Sequence, residues 1–226
     1  MKKKLISKST YKFVKPGSLL FITGAPLSGK SSIAPIVTSM IRGCTLQNMD
    51  IIRLLAQELE SLKPPKLRNP FTNYGSCDSY VAIGNGKFTE KTMITGYHAY
   101  SKAVCSLLKK IIPGLELQGA KEVVFEGVQL MPLTIKPYLK NKNKVIVITS
   151  SEQDLKTRVN QMFFGNQKLL ERYSVDKLLI IQNEILRQLN FINPNKYYVV
   201  DNSSDLFDST DDILTYLLNS KTIKEI

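Results

Sequence analysis

One histidine, three cysteines and no apolar run of membrane-spanning length are what this 226-residue chain offers to several common chemistries. Cys44, Cys77 and Cys105 form an odd, widely spaced set without a C-x-x-C pair, and His98 is the sole imidazole, so neither a disulfide framework nor a zinc site is expected. Reduced, mostly buried thiols are. The start Met1-Lys2-Lys3-Lys4-Leu5-Ile6-Ser7-Lys8 lacks the apolar stretch of a secretory signal, and the expectation is a soluble, cytoplasmic protein with no membrane partner. Repeats are absent too. Acids are scarce: 19 stand against 31 lysines and arginines, for a formal charge of +12. Six of those charges (Lys2, Lys3, Lys4, Lys8, Lys12 and Lys15) precede residue 18 with no acid among them. A basic balance fits nucleotides, phosphorylated metabolites or RNA without choosing between them. Residues 1–17 read as a basic extension, either a solvated, partly frayed end or a nucleic-acid arm. Residues 18–226 read as one domain, because 43% hydrophobic content at this length can bury one substantial core.

What is present is a strand-length run, Leu19-Leu20-Phe21-Ile22-Thr23, that delivers the chain into Gly24-Ala25-Pro26-Leu27-Ser28-Gly29-Lys30-Ser31-Ser32. This is the phosphate-loop pattern G-x-x-x-x-G-K-[ST]. Its glycines let successive amide N–H groups turn inward around a polyphosphate, and a helix from Lys30 to Ile41 adds its positive dipole end. Lys30 is placed to reach the β- and γ-phosphates and the Ser31 hydroxyl to join a Mg²⁺ shell, so ATP and Mg²⁺ are the expected cofactors. The competing reading is a Gly-rich turn that binds nothing.

Further along, Thr45–Met49 reads as a second strand ending at Asp50, followed by a helix with Ile51, Leu54, Leu55, Leu59 and Leu62 at helical spacing. Asp50 then stands at a strand's carboxyl end, where open α/β sheets bind ligands, with Arg53 a turn beyond; the alternative is an Asp that caps the helix. Between Lys63 and Lys87 the breaks Pro64-Pro65, Asn69-Pro70, Asn73-Tyr74-Gly75 and Gly84-Asn85-Gly86 suit a binding loop. One helix is expected from Thr89 to Ile112, stopped by Pro113-Gly114, with Tyr97 and Tyr100 in its packing stripe and His98 off it. Val123–Phe125 reads as a buried parallel strand that presents Glu126 beside the phosphate loop, where it orders a metal-bound water or the metal itself.

A fourth strand, Lys144–Thr149, leads through Ser151-Glu152-Gln153-Asp154 into a helix carrying Leu155, Val159 and Met162 inward. Arg158, Lys168 and Arg172 bracket the turn Phe163-Phe164-Gly165-Asn166, so about 158–175 reads either as a lid that neutralises a transferring phosphoryl group or as an ordinary helical pair with solvated cations. A helix over Val175–Phe191, a fifth strand over Tyr197–Val200, the polar turn Asp201-Asn202-Ser203-Ser204 and a last helix over Asp211–Asn219 complete the chain. Asn202 is placed at the adenine end of a nucleotide. Five short strands alternating with helices predict an α/β, three-layer sandwich: a parallel sheet covered on both faces.

This order resembles the small-molecule and nucleoside kinase branch of the P-loop proteins. More narrowly, Asp50-Ile51-Ile52-Arg53, Cys77-Asp78-Ser79-Tyr80-Val81-Ala82, Ile94-Thr95-Gly96-Tyr97 and Phe125-Glu126-Gly127-Val128-Gln129-Leu130-Met131-Pro132 resemble stretches of archaeal-type 2-phosphoglycerate kinases. The resemblance implies ATP-dependent phosphorylation of 2-phosphoglycerate, with Asp50, Arg53, Ser79, Tyr80, Gly127 and Gln129 against the substrate. Lys30, Asp50, Glu126, Arg158 and Arg172 would then be catalytic, with Ser31 and Glu126 on the metal. Gln129 replaces the family's histidine and Cys77-Asp78 a hydroxyl pair, and an Asp there would repel a phosphorylated, carboxylated substrate. The alternatives are a nucleoside, nucleotide or polynucleotide kinase and, third, a nucleotide-dependent RNA-binding factor.

Overall fold

The apolar runs of the sequence become neighbouring strands. β2 (Leu19–Gly24), β3 (Cys44–Asn48), β4 (Glu122–Glu126), β5 (Lys144–Thr149) and β6 (Tyr197–Asp201) form a parallel sheet in the order β3-β4-β2-β5-β6. The computed structural model describes residues 10–226 apart from Pro65, Leu67, Gly84, Asn85, Lys121 and Ser204. Lys2, Lys3, Lys4 and Lys8 of the basic start, and parts of the breaks at Pro64-Pro65 and Gly84-Asn85-Gly86 and of the turn ending at Ser204, lie outside the described residues.

Side chains alternate across each strand, so β2 feeds two cores. Phe21 points into one with Phe125, Val145, Met93, Tyr97, Ile181 and Ile185, and its ring stacks on Phe125 at 5.6 Å. Leu20 and Ile22 point into the other with Ile33, Val37, Ile213 and Leu217. α3 (Glu90–Cys105) and α8 (Val175–Leu189) therefore cover one face, and α1 (Lys30–Met40) and α9 (Leu206–Asn219) the other. Each fully buried aliphatic or aromatic side chain contributes about 1.5–3 kcal/mol of transfer free energy.

Several boundaries differ from the sequence-based expectation. β1 (Tyr11–Phe13) pairs antiparallel with β7 (Ile223–Glu225), and Tyr11 and Phe13 are buried in the second core. The folded body therefore includes part of the expected 1–17 extension. The predicted 89–112 helix is two, α3 and α4 (Leu108–Leu117), and Pro113 lies inside α4 instead of ending it. Pro113 and Lys109 are both exposed, so water can take the carbonyl that the missing N–H leaves unbonded. The helix ends at Leu117, with Gln118 as its cap and Gly119 (φ +84°) turning the chain just beyond. The last helix begins at Leu206, capped by Asp205, five residues before the expected Asp211. α2 (Met49–Ser61) has the predicted spacing, but Ile51, Leu54, Leu55 and Leu59, with Leu62 just beyond, face outward, each at least half exposed. No helix among the described residues is long and apolar enough to cross a membrane. Cys77 and Cys105 are buried and Cys44 half-buried, all unpaired.

Candidate active site

The phosphate loop is shaped by what its carbonyls bind. Leu27 (φ +64°) and Gly29 (φ +95°) take left-handed conformations, which turn successive peptide groups in opposite senses. The outward carbonyls are held. Leu27 O accepts from Arg158 Nη1 (2.9 Å), and Ser28 O accepts from Asn202 Nδ2 (2.9 Å) and Ser150 Oγ (3.3 Å). At Gly24 the requirement is space, since a Cβ would strike the Ile148 carbonyl and Ser28 Oγ. Lys30 opens α1 and is 6% exposed, its ammonium 3.5 Å from Ala25 O within the loop. Ser31 and Ser32 beside it are exposed.

The acids meet at the strand tips. Glu126 ends β4 opposite Asn48 on β3 and beside Ile22 on β2. Glu126 Oε1 accepts from Ser31 Oγ (3.0 Å) and Oε2 from Asn48 Nδ2 (3.0 Å). Burial pushes the Glu126 carboxyl above its ordinary value, the Lys30 charge and the Ser31 bond pull it back, and Asp50 adds to the rise. Asn48 also caps α2, accepting from the amides of Asp50 (2.8 Å) and Ile51 (3.2 Å). The cap considered for Asp50 thus belongs to Asn48, and Asp50 sits in the first helical turn rather than at the strand end. Its side chain is free of capping and instead accepts from Gln129 Nε2 (2.5 Å). These hard oxygen donors fit a magnesium ion. Among the described residues no cluster of three or more His, Cys, Asp or Glu side chains forms a metal cage, and Mg²⁺ takes few protein ligands, completing its shell with phosphate and water.

Gln129 is fully buried, and its second amide proton goes to Tyr100 Oη (2.8 Å). It therefore holds Asp50 and has no donor left for a substrate. Gly127 is likewise closed in: its N–H donates to Ile22 O (3.1 Å) and a Cβ would strike Met49. Ser79, expected at the substrate, is buried with its hydroxyl on Ser76 O (2.9 Å), and its backbone packs against Gly96, which explains the Ile94-Thr95-Gly96-Tyr97 stretch. Tyr80 is half-buried, edge-on to Phe88 with the Lys177 ammonium 5.1 Å from its ring. Arg53 donates to Gln57 Oε1 (3.1 Å) one turn beyond Asp50. Tyr97 donates to Val128 O (2.5 Å), and His98 meets the buried Glu184 at 2.6 Å across the α3–α8 seam.

The lid region is α6 (Glu152–Phe163) followed by α7 (Gln167–Arg172). Its two arginines part company. Arg158 lies on the wall of a cleft of about 620 Å³ that also takes in Lys30, Ser31, Asn202 and Leu27, but it donates to Leu27 O, Ser150 Oγ (2.7 Å) and Asn202 O (2.7 Å), so it braces the loop. Arg172 is outside that cleft, paired at 2.5 Å with Asp78 of the 3₁₀ segment Ser76–Ala82. The charge expected to repel an anionic substrate is thereby matched. Gln161, Met162 and Leu206 also line the cleft and were not foreseen; Met162 is 65% exposed instead of inward. Arg158, Gln161 and Met162 share one face at i, i+3 and i+4, which is the signal that could have found them.

The sequence matches no family model and no curated protein. Among solved structures, a thymidylate kinase from Candida albicans is similar at TM-score 0.51 and 13% identity, over 92% of this chain and 95% of that one. A gluconokinase from Sinorhizobium meliloti 1021 matches at TM-score 0.49 and 14% identity, over 90% of this chain and 93% of that one. A shikimate kinase from Acinetobacter baumannii matches at 0.49 and 13%, over 90% and 94%. With its parallel sheet, its loop between β2 and α1 and its likeness to the thymidylate kinase structure, the chain has the α/β P-loop fold.

Proposed function

We propose that this protein is a kinase that moves the γ-phosphoryl group of ATP, with Mg²⁺, to a hydroxyl of a small anionic metabolite. The observation that carries it is one hydrogen-bonded array, Ser31–Glu126–Asn48, which ties the first turn behind the phosphate loop to two neighbouring strand tips and to the amide of Asp50. In this reading the loop amides and Lys30 hold the phosphates, and the cleft between Leu27, Met162 and Leu206 takes the nucleoside. Ser31, supported by Glu126, would hold the metal, which supplies neutralisation of phosphate charge when bound. Asp50, oriented by Gln129, accepts the proton as the acceptor oxygen bonds to the γ-phosphorus and the bond to the departing ADP breaks. Because such transition states are loose, positioning and charge stabilisation carry most of the rate. Arg53, one turn from Asp50, is placed for an anionic group of the acceptor, and the resemblance in the motifs favours a 2-phosphoglycerate-like one.

A second reading is a nucleoside or nucleotide kinase, favoured by the likeness to a thymidylate kinase; an RNA 5′ end belongs with it as an acceptor. A screen of ATP consumption across phosphorylated metabolites, nucleosides, nucleotides and RNA ends separates them. Acceptor-dependent ADP formation that Lys30→Ala abolishes supports the kinase reading, and turnover retained by that variant overturns it.

A further inference from the structure

The parallel sheet has unlike ends. Beyond the carboxyl ends of its strands come Asp50 and the phosphate loop, with Glu126 and Asp201 as the last residues of β4 and β6. Before the amino ends come cations: Lys15 ahead of β2, Arg42 ahead of β3, Lys140 and Lys142 ahead of β5, Lys196 ahead of β6, and Lys144 as the first residue of β5. Since all five strands run one way, residues that precede them gather at one edge, and their charges add.

Lys142, Lys144 and Lys196 are crowded together. Lys144 Nζ donates to Asn195 O and Lys196 Nζ to Asn141 O (2.5 Å), so neutral carbonyls fix these ammonium groups without countering their charge. Burial first, and then the neighbouring lysines, hold the Lys144 and Lys196 ammoniums below the ordinary lysine range. None of the three has an ion pair among the described residues. A second like-charge pair lies in the β1–β7 ribbon, where Lys12 stands directly across from Lys224, beside a hollow that also takes in Arg42. Acids are present too: among the described residues Glu116 and Glu122 line hollows at this edge, and Glu225 lies in the ribbon.

We propose that this edge is a docking surface for single-stranded nucleic acid, with the phosphodiester backbone at Lys142 and Lys196 and a base against Tyr198. The half-exposed Tyr198 and Tyr216 rings stack at 4.5 Å and 7° beside the lysines, with Lys144 Nζ 5.5 Å from Tyr216. Asn141, Asn143 and Asn195 are interleaved with the cations. Stacked rings, amides and spaced charges suit bases and phosphates. A lipid surface is better met by an amphipathic helix, whereas these lysines sit in turns and at strand starts. The edge lies at the far end of the sheet from the phosphate loop, so the bound strand is a partner and not the phosphoryl acceptor.

Fluorescence anisotropy of a labelled mixed-sequence oligoribonucleotide of about 12 nucleotides, titrated with the full chain from about 50 to 200 mM salt, tests this. Lys142→Glu with Lys196→Glu is expected to weaken binding at least about tenfold and to flatten the salt dependence by about 1.4 log units per log unit, as for two lost phosphate contacts. Tyr198→Ala should weaken RNA binding several-fold at unchanged salt slope. Lys91→Glu with Lys102→Glu, which makes the same charge change on α3, should leave it unchanged. A thermal melt and the circular dichroism spectrum report folding, and Lys142→Gln with Lys196→Gln replaces the reversal if that variant does not fold. The proposal falls if wild-type protein does not bind RNA at the lowest salt, if the double variant binds like wild type (as it would were residues 1–9 the sole contact), or if vesicles of phosphatidylserine and phosphatidylcholine are bound in preference to RNA. None of these outcomes depends on the identity of the phosphoryl acceptor.

Discussion

The two halves of the candidate site are built differently. On the proposed nucleotide side, one continuous stretch, Gly24–Ser32, makes the phosphate loop, distant residues (Arg158, Asn202, Ser150) brace its outward carbonyls, and Met162 and Leu206 add only the outer wall of the cleft. On the acceptor side nothing is continuous: Asp50 depends on Asn48 for its backbone and on Gln129, from beyond β4, for its carboxylate, while Arg172 on α7 is paired with Asp78. A locally encoded surface tolerates change in its surroundings. An assembled one is sensitive to residues that never touch the ligand.

Five substitutions probe that contrast. Lys30→Ala should reduce turnover most, by about a thousandfold, because it removes a charge-stabilising donor from the phosphates. Steady-state ADP production reads this, with an unchanged circular dichroism spectrum expected. Asp50→Asn should reduce kcat about a hundredfold or more while nucleotide affinity, read by calorimetry, stays within about twofold. Gln129→Leu should reproduce part of that kcat loss although Gln129 contacts no ligand in the proposed arrangement; if it leaves kcat untouched, the acceptor side does not depend on its assembly.

Glu126→Gln joins activity to stability. Burial raises the Glu126 carboxyl above its ordinary 4.5, so its stabilising contribution is full below that value and is lost as pH rises through the folded one. The variant should therefore gain in melting temperature relative to wild type between about pH 4 and 7, the gap closing on acidification, while its turnover falls about a hundredfold. Asp78→Asn should have the smallest effect. The pair with Arg172 is partly exposed, with side chains 23% and 39% accessible, and such pairs contribute about 0–1 kcal/mol. A changed KM for the acceptor at unchanged kcat would place Asp78 on the acceptor path, and an unchanged KM would confine it to stability.

The same contrast governs what was legible in sequence. The phosphate loop, its flanking strand and helix, Glu126 at a strand tip and all five parallel strands follow from local patterns of period two, apolar runs and glycine spacing. Gln129 as the holder of Asp50, Arg172 as the partner of Asp78 and Met162 as a cleft residue do not, because each depends on which elements pack together. The outward leucines of α2 show the limit of periodicity: spacing fixes that Leu55 and Leu59 share a face, and only the packing of α2 decides that the face is exposed. Pro113 teaches the complementary point, since a residue that ends helices in general is accepted where the orphaned carbonyl faces water.

The β1–β7 ribbon bears on how the molecule is made. Tyr11 finds its partner in Glu225, so this ribbon stays open on the ribosome until every strand of the sheet has been synthesised. Tyr11 and Phe13, two large aromatic residues that end up fully or almost fully enclosed, have early partners in Ile41 and in the core of β2 and α1, but gain their cover from Ile223 only at the end. Closure of the ribbon is thus a late event of biogenesis, and it seals a core whose other walls are already in place.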